Sequence, residues 1–445
     1  MSIPTFTAGV PAIDHHSHAG YVRPGERLEG IDALQRENAM GHLEANLPVE
    51  AFDAFIAARA SGDAGELARL EAEHGIQALF DESSVFQSTS VYGVSLAEGT
   101  RALYGELDHA EAVRVSTQQR EDDFPGLYDR ALEVSETALV LTDIPSIDAQ
   151  SWSPERYKPI GRIDPYLYPF GHPAFRRRGS DSPRFQRVFG SILRDLLDAE
   201  GLGQPPATLG AYLEFVRSSI IRRQESGFVG LKIASAYVRS LDFTRRSRES
   251  AESAYTLLRQ DAGALETPAY TALADYLVFA IAELAVEREL PVQIHTGMGH
   301  AEPGLLLSGA DPRHLEPLLS DRALNRLRVI LIHGGYPYTS HLAALSQAHG
   351  NVFVDFSWMP YLHHHALERM LQEWLELLPA DKVMFGTDTG QPEFHVASVA
   401  RGRLLLDRAL ASGVADRLWT TTQAEWLARR VLNENLCRVY GLEAL

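Results

Sequence analysis

Short apolar runs, several with a polar residue at or near their end, recur along the whole chain. They are Pro11–His18, Ala138–Asp143, Ile160–Asp164, Gly227–Ile233, Pro291–Gly297, Val329–Gly335, Asn351–Phe356 and Lys382–Asp388. Runs this short and this apolar suit strands covered on both faces, as in parallel sheets. The stretches between the later runs have helical spacing. These are 176–213 with a Gly/Pro break at 201–206, the apolar Pro268–Glu289, and a terminal Thr422–Tyr440. Eight strands alternating with helices predict an α/β fold, a closed (β/α)8 barrel whose functional groups gather at the strand ends. An open doubly wound sheet is the competing fold. Polar strand ends fall on the first, fourth, fifth, sixth and eighth strands, and only a closed ring brings those together.

Two stretches break the rhythm. Residues 19–136 are mostly helix-forming, with Val49–Ala60, Gly65–His74, Ala97–Leu107 and Leu127–Val134 as the clearest segments. That is too long for a strand-to-helix loop, so it predicts a large helical insertion after strand one. A smaller polar insertion, Arg239–Thr267, follows strand four. A separate helical domain is the alternative for 19–136. The insertion is preferred because strand one finds partners only after it, and 1–445 is then read as a single barrel domain.

Composition narrows the class. The chain has 445 residues, 45% hydrophobic, with a net charge of −18 and no basic block of the kind that tracks phosphates, so nucleic acid is not an expected partner. A single cysteine, Cys437, excludes an internal disulfide and fits a reducing compartment. Met1–Val10 lacks the basic and apolar segments of a secretion signal. No uninterrupted apolar run approaches the ~18 residues of a membrane span. The expectation is a cytoplasmic, homo-oligomeric protein acting on a small molecule.

The candidate chemistry begins with Asp14-His15-His16-Ser17-His18. Strict strand alternation puts Asp14, His16 and His18 on one side and Ile13 and His15 on the other. His15 is therefore expected to face the helical layer and act structurally. The same alternation predicts that Lys232 points inward with Gly230 and Phe228, and His295 with Gln293. It pairs His333 with Leu331 and Val329, and Asp388 with Gly386 and Met384. Imidazoles with one carboxylate suit Zn, Mn or Fe better than Ca or Mg. Each residue also has a plainer reading. His16 and His18 would serve as a surface pair, and Asp388 as a helix N-cap. Lys232 would pair with Asp388 or bind a substrate carboxylate, and His333 would touch substrate rather than metal. His363, His364 and His365 are read as mostly surface, His300 and Arg162 as pocket candidates, and Asp14 as a partner orienting a ligand histidine.

His16-x-His18, Lys232, His295, His333 and Gly386-Thr387-Asp388 in this order resemble the amidohydrolase superfamily. Gly227–Lys232, Ile294–Gly297, His333–Tyr338 and Phe385–Asp388 are similar to the metal-dependent barrel of plant nodulin and fungal developmental proteins. There the barrel is fused to a glutamine synthetase-like domain, which this chain, ending at Leu445, is expected to lack. The resemblance implies one or two divalent transition-metal ions, zinc foremost, held by His16, His18, Lys232, His295, His333 and Asp388. It implies Asp388 as proton shuttle and His333 as second-metal ligand or oxyanion stabiliser. It allows Lys232 to be carboxylated and to bridge two ions. The implied activity is hydrolysis of an amide or related C–N bond by metal-activated water. The alternative is metal-dependent decarboxylation of an aromatic or related acid. A binding or scaffolding barrel without turnover is the non-enzymatic reading, and the intact ligand set speaks against it.

Overall fold

A computed structural model of the protein describes residues 4–20, 30–32, 34, 39–144, 152–171, 182–261, 268–299 and 305–443. Eight parallel strands, β1 (Ala12–Ser17), β2 (Thr137–Ile144), β3 (Tyr157–Arg162), β4 (Gly230–Ile233), β5 (Val292–His295), β6 (Val329–Ile332), β7 (Val352–Asp355) and β8 (Val383–Met384), lie side by side in sequence order. The chain beyond β8 returns to β1 and closes the ring. His15 N donates to Phe385 O, Asp388 N to His16 O at 2.7 Å, and His18 N to Thr389 O. This is the (β/α)8 barrel that the strand rhythm predicts.

Alternation explains the two faces of the wall. Leu231, Ile233, Val292, Ile294, Val329, Leu331, Val352 and Val354 pack outward into the large core shared with the helices. Ile13, Leu139, Leu141, Ile160, Ile330, Ile332, Phe353 and Met384 fill the interior. The floor is closed by the last helix, Asn435–Tyr440, whose Leu436, Cys437, Val439 and Tyr440 join that inner cluster. Asn435 Nδ2 donates to the carbonyls of Ala380 and Val383, and Asn433 Nδ2 to that of Pro11, fixing the plug at the strand beginnings.

Among the described residues, the segment between β1 and β2 is mostly helical, with Val49–Ser61, Val91–Tyr104 and His109–Val134 the longest of its helices. Within the second insertion, the helix Arg248–Gln260 follows a short turn at Ser235–Tyr237. Ala269–Glu287 is long and apolar enough to pass as a membrane span by composition. Here it is part of the barrel's outer layer, and its Asp275 is buried against Arg239 at 2.8 Å and Arg246 at 3.0 Å.

Three orientation expectations are corrected. The pairing of β1 with β2 slips between Asp14 and Ser17, a bulge that breaks strict alternation. His15 follows Ile13 into the barrel, where Asp355 Oδ2 lies 2.5 Å from its Nε2, instead of facing the helices, and across the bulge His16 points inward as well. Asp14 does not share the face of His16. It takes hydrogen bonds from Thr387 N and Thr387 Oγ1 and lies 3.6 Å from His395 Nδ1, on the helical side. On β6 the inward residues are Ile330 and Ile332, not Val329 and Leu331. His333 stands past the strand end with φ of 73°, so strand alternation no longer governs it.

Candidate metal centre

His16 and His18 come from the end of β1, Asp388 from the turn after β8. Asp388 Oδ1 lies 3.0 Å from His16 Nε2 and 3.1 Å from His18 Nε2. These atoms form a group able to hold a metal ion, and the same carboxylate oxygen makes no well-formed hydrogen bond. In a tetrahedral site with bonds of about 2.0–2.1 Å, ligand atoms sit roughly 3.3 Å apart. The spacing and the mixed imidazole–carboxylate chemistry therefore fit a divalent transition ion. Asp388 is not a helix N-cap, because the following helix starts at Pro392 with Gln391 in the capping position.

The other predicted residues surround this group. Lys232 Nζ is 3.0 Å from His16 Nε2 and 3.1 Å from Asp143 Oδ2. Its carboxylate partner is thus Asp143 and not Asp388. Arg162 donates to the same Asp143 oxygen, which places this pocket candidate beside Lys232. His333 Nδ1 lies 3.1 Å from Ser357 Oγ and 3.3 Å from Asp388 Oδ2. His295 is buried with its ring 4.5 Å from those of His333 and Tyr237, and Trp358 packs 5.0 Å from His333. His295, His333 and Lys232 thus line the site, outside the three-atom group of His16, His18 and Asp388. His300 lies outside the described residues. His363 packs on Tyr336, and His364 sits between Arg401 and Arg408. The second of these contacts leaves little reason for a cation at the group His364, His365 and Glu368.

Electrostatics follow from burial. Loss of water pushes His16 down to about 4, helped by the charge of Lys232, and pushes His295 down to about 3. His333 is likewise held well below its ordinary value. All three are therefore neutral, the form that binds metals. Burial alone would raise Asp388, but His333 and His16 beside it hold the carboxyl well below the usual range. Asp143 is similarly kept ionised, against its burial, by Arg162 and Lys232.

The backbone is strained at the site. Six non-glycine described residues have positive φ, and His333, Trp358 and Asp388 are three of them. Such conformations cost about 1–3 kcal/mol each and persist only where surroundings enforce them. Asp355 does so for His333, accepting its N–H at 2.7 Å.

Several residues that matter here were not singled out from the sequence. Gln293 Oε1 lies 2.8 Å from His16 Nδ1 and orients that ring, the task expected of Asp14. Asp14 instead holds the backbone N–H groups of His16 and Thr387. Asp143 and Asp355 end their strands as polar residues after apolar runs, the same signal that marks His295 and His333. Tyr237 and Trp358 carry no such signal.

A closed barrel with two histidines of strand one facing a strand-eight aspartate defines a class, the metal-dependent hydrolase-like (β/α)8 barrels. The chain belongs to the amidohydrolase family, whose model matches residues 145–441. That match begins after β1, so His16 and His18 lie outside it. Protein fluG of Emericella nidulans is 30% identical over 154 residues, covering 34% of this chain. The chain spans only 17% of that relative's length. Among solved structures, a Lactobacillus casei protein designated a metal-dependent hydrolase superposes with a TM-score of 0.67 at 16% identity, covering 98% of this chain and 96% of that one. A uronate isomerase of Bacillus halodurans gives 0.66 at 15% identity, covering 99% and 95%. A glucuronate isomerase of Caulobacter crescentus gives 0.66 at 16%, covering 98% and 92%. At such identities the likeness is one of fold.

Proposed function

We propose that this protein is a metal-dependent hydrolase that cleaves an amide or related C–N bond of a small molecule. The observation that carries the reading is the convergence of His16 Nε2, His18 Nε2 and Asp388 Oδ1, ringed by Lys232, His295 and His333. A divalent ion held by the three would lower the pKa of bound water to about 7 and polarise a carbonyl oxygen. Asp388 keeps its second oxygen, Oδ2, free of His16 and His18, with His333 Nδ1 3.3 Å away. That oxygen takes the proton of the attacking water and returns it to the leaving amine. Neutral His295 flanks the position of the developing oxyanion, and His333, its N–H engaged by Ser357, lines the site beside it. Lys232, anchored by Asp143, orients a polar or anionic group of the substrate.

Pairing of Lys232 with the Asp143 carboxylate supports an ammonium there and one ion per chain. A carboxylated Lys232 would set two anions against each other. The fold-wide likeness to uronate isomerases favours a second reading, isomerisation of a uronate at the same centre. One experiment separates them. The zinc- or manganese-loaded protein is incubated with a panel of N-acyl amino acids, simple amides and uronates, and amine release and sugar isomerisation are followed. Amine release from panel members supports hydrolysis. Conversion of a uronate with no amine released anywhere overturns it.

A further inference from the structure

Beneath the site lies a buried chain of hydrogen bonds that ends at the barrel floor. Gln293 Nε2 donates to the carbonyl of His15 and to the hydroxyl of Tyr440, both at 2.8 Å. A carbonyl only accepts, so the amide cannot be turned over without setting its oxygen against that of His15. Gln293 Oε1 is thereby committed to His16, at 2.8 Å from Nδ1. His16 must carry its proton on Nδ1, which leaves the Nε2 lone pair facing His18 and Asp388.

The same hydroxyl serves the other half of the site. Having accepted from Gln293, Tyr440 is free to donate to His15 Nδ1, 3.4 Å away. His15 Nε2 then donates to Asp355 Oδ2 at 2.5 Å. Asp355 Oδ1 accepts from His333 N, Ser357 N and Ser357 Oγ. The one hydrogen of Ser357 is spent there, so its oxygen accepts from His333 Nδ1 at 3.1 Å. His15, His16, Gln293, Asp355 and Ser357 are all 0% exposed, so no water competes for these bonds.

We infer that Tyr440 is a positioning residue, which through Gln293 fixes the nitrogen that His16 offers and through His15, Asp355 and Ser357 does the same for His333. The C-terminal plug is thus part of the site's wiring as well as of the core. The inference rests on His16 being a metal ligand.

The test uses the full chain as wild type, Tyr440→Phe, Gln293→Leu and the double variant. Zinc affinity is measured by chelator competition, thermal midpoints are recorded, and histidine tautomers are read from two-bond proton–nitrogen spectra of histidine-labelled protein. Loss of a partner that orients a ligand typically weakens metal binding about 10–100-fold, so Gln293→Leu is expected in that range. Tyr440→Phe should weaken zinc by about threefold or more and mix the tautomers of His16 and His333. Because Tyr440 reaches His16 through Gln293, the double variant should match Gln293→Leu alone in zinc affinity, while the His333 tautomer responds to Tyr440→Phe in either background. Fold-changes in zinc affinity that multiply in the double variant overturn the inference. So does a Tyr440→Phe protein with a lowered midpoint but unchanged affinity and tautomers, a result that stands even if Gln293→Leu fails to fold. Wild type that takes up no zinc overturns the metal reading itself and the inference with it.

Discussion

Replacing Arg120 by methionine strips the charge from the joint that fastens the helical insertion to the wall behind Asp388. Arg120 lies on the helix His109–Val134, and its guanidinium reaches Glu393 with NH2 to Oε2 at 2.6 Å and NH1 to Oε1 at 2.9 Å. The side chains are 1% and 0% exposed. Tyr104 OH adds a bond to Glu393 at 2.7 Å, and Arg120 also reaches Gln391, three residues past Asp388. The helix Val91–Tyr104 presses so close that a Cβ on Gly99 would lie 1.9 Å from the Glu393 carbonyl oxygen. Burial alone would raise the Glu393 carboxyl, and Arg120 outweighs it to keep that group below its usual value. Removing Arg120 leaves an unpaired buried carboxylate, a loss of about 3–5 kcal/mol. Arg120→Met should therefore shift the urea unfolding midpoint strongly, while Arg120→Met with Glu393→Leu recovers most of the loss because neither charge remains. Arg120→Met should also weaken zinc, since Gln391 no longer steadies the turn carrying Asp388. A single variant within about 1 kcal/mol of wild type, or a double variant no more stable than the single, refutes the reasoning.

Other outcomes are expected at the centre itself. His18→Ala should lose metal by elemental analysis while keeping its fold by circular dichroism, because the His18 side chain is 40% exposed and takes no part in the core. Asp388→Asn should retain the fold and lower kcat at least ~10²-fold in an amine-release assay, since an amide cannot take the water's proton. Metal analysis of the wild type should give one ion per chain, unchanged in Lys232→Ala; two ions, halved in that variant, would restore the bridging carbamate. In metal-free protein, His16 is depressed to about 4 and His295 and His395 to about 3. Their stability contributions are present above the unfolded value near 6.5 and are lost as pH falls toward 3–4, by about 1.4 kcal/mol per pH unit for each net proton taken up. Asp14, raised to about 8, opposes them, because its contribution is fully present below the unfolded value and is lost as pH rises through 8. Thermal midpoints should accordingly drop between pH 6.5 and 4, and a flat profile would contradict neutral burial of these rings.

The barrel was legible because its strands are buried on both faces, and that requirement writes the same short apolar run eight times. Local exceptions were not legible. Alternation assigns a face by parity, and the register slip between Asp14 and Ser17 breaks it, so that His16 faces inward beside His15. The left-handed backbone at His333 does the same at the end of β6. Gly334 and Gly335 announce a turn, but not the left-handed backbone of His333 before them, which the carboxylate of Asp355 on the neighbouring strand enforces.

The candidate site divides along the same line. The proposed metal ligation demands particular side chains at strand ends, so His16, His18 and Asp388 stand out from their types and places alone. The residues that aim them do not. Gln293 meets His16 across 277 residues of chain and Tyr440 across 147, and a glutamine in an apolar strand or a tyrosine in a terminal helix has ordinary structural uses. Asp143 and Asp355 are the intermediate case. Each closes an apolar run as visibly as His295 does, yet a lone carboxylate at a strand end has no meaning until its partner is known. Lys232 supplies that partner for Asp143, and this changes the chemistry assigned to the lysine. Beside Asp388 alone, Lys232 is equally readable as a carbamate bridge or a cation. With Asp143 at 3.1 Å and Arg162 on the same carboxylate, the balance of charge favours the cation, and with it a centre built around one ion.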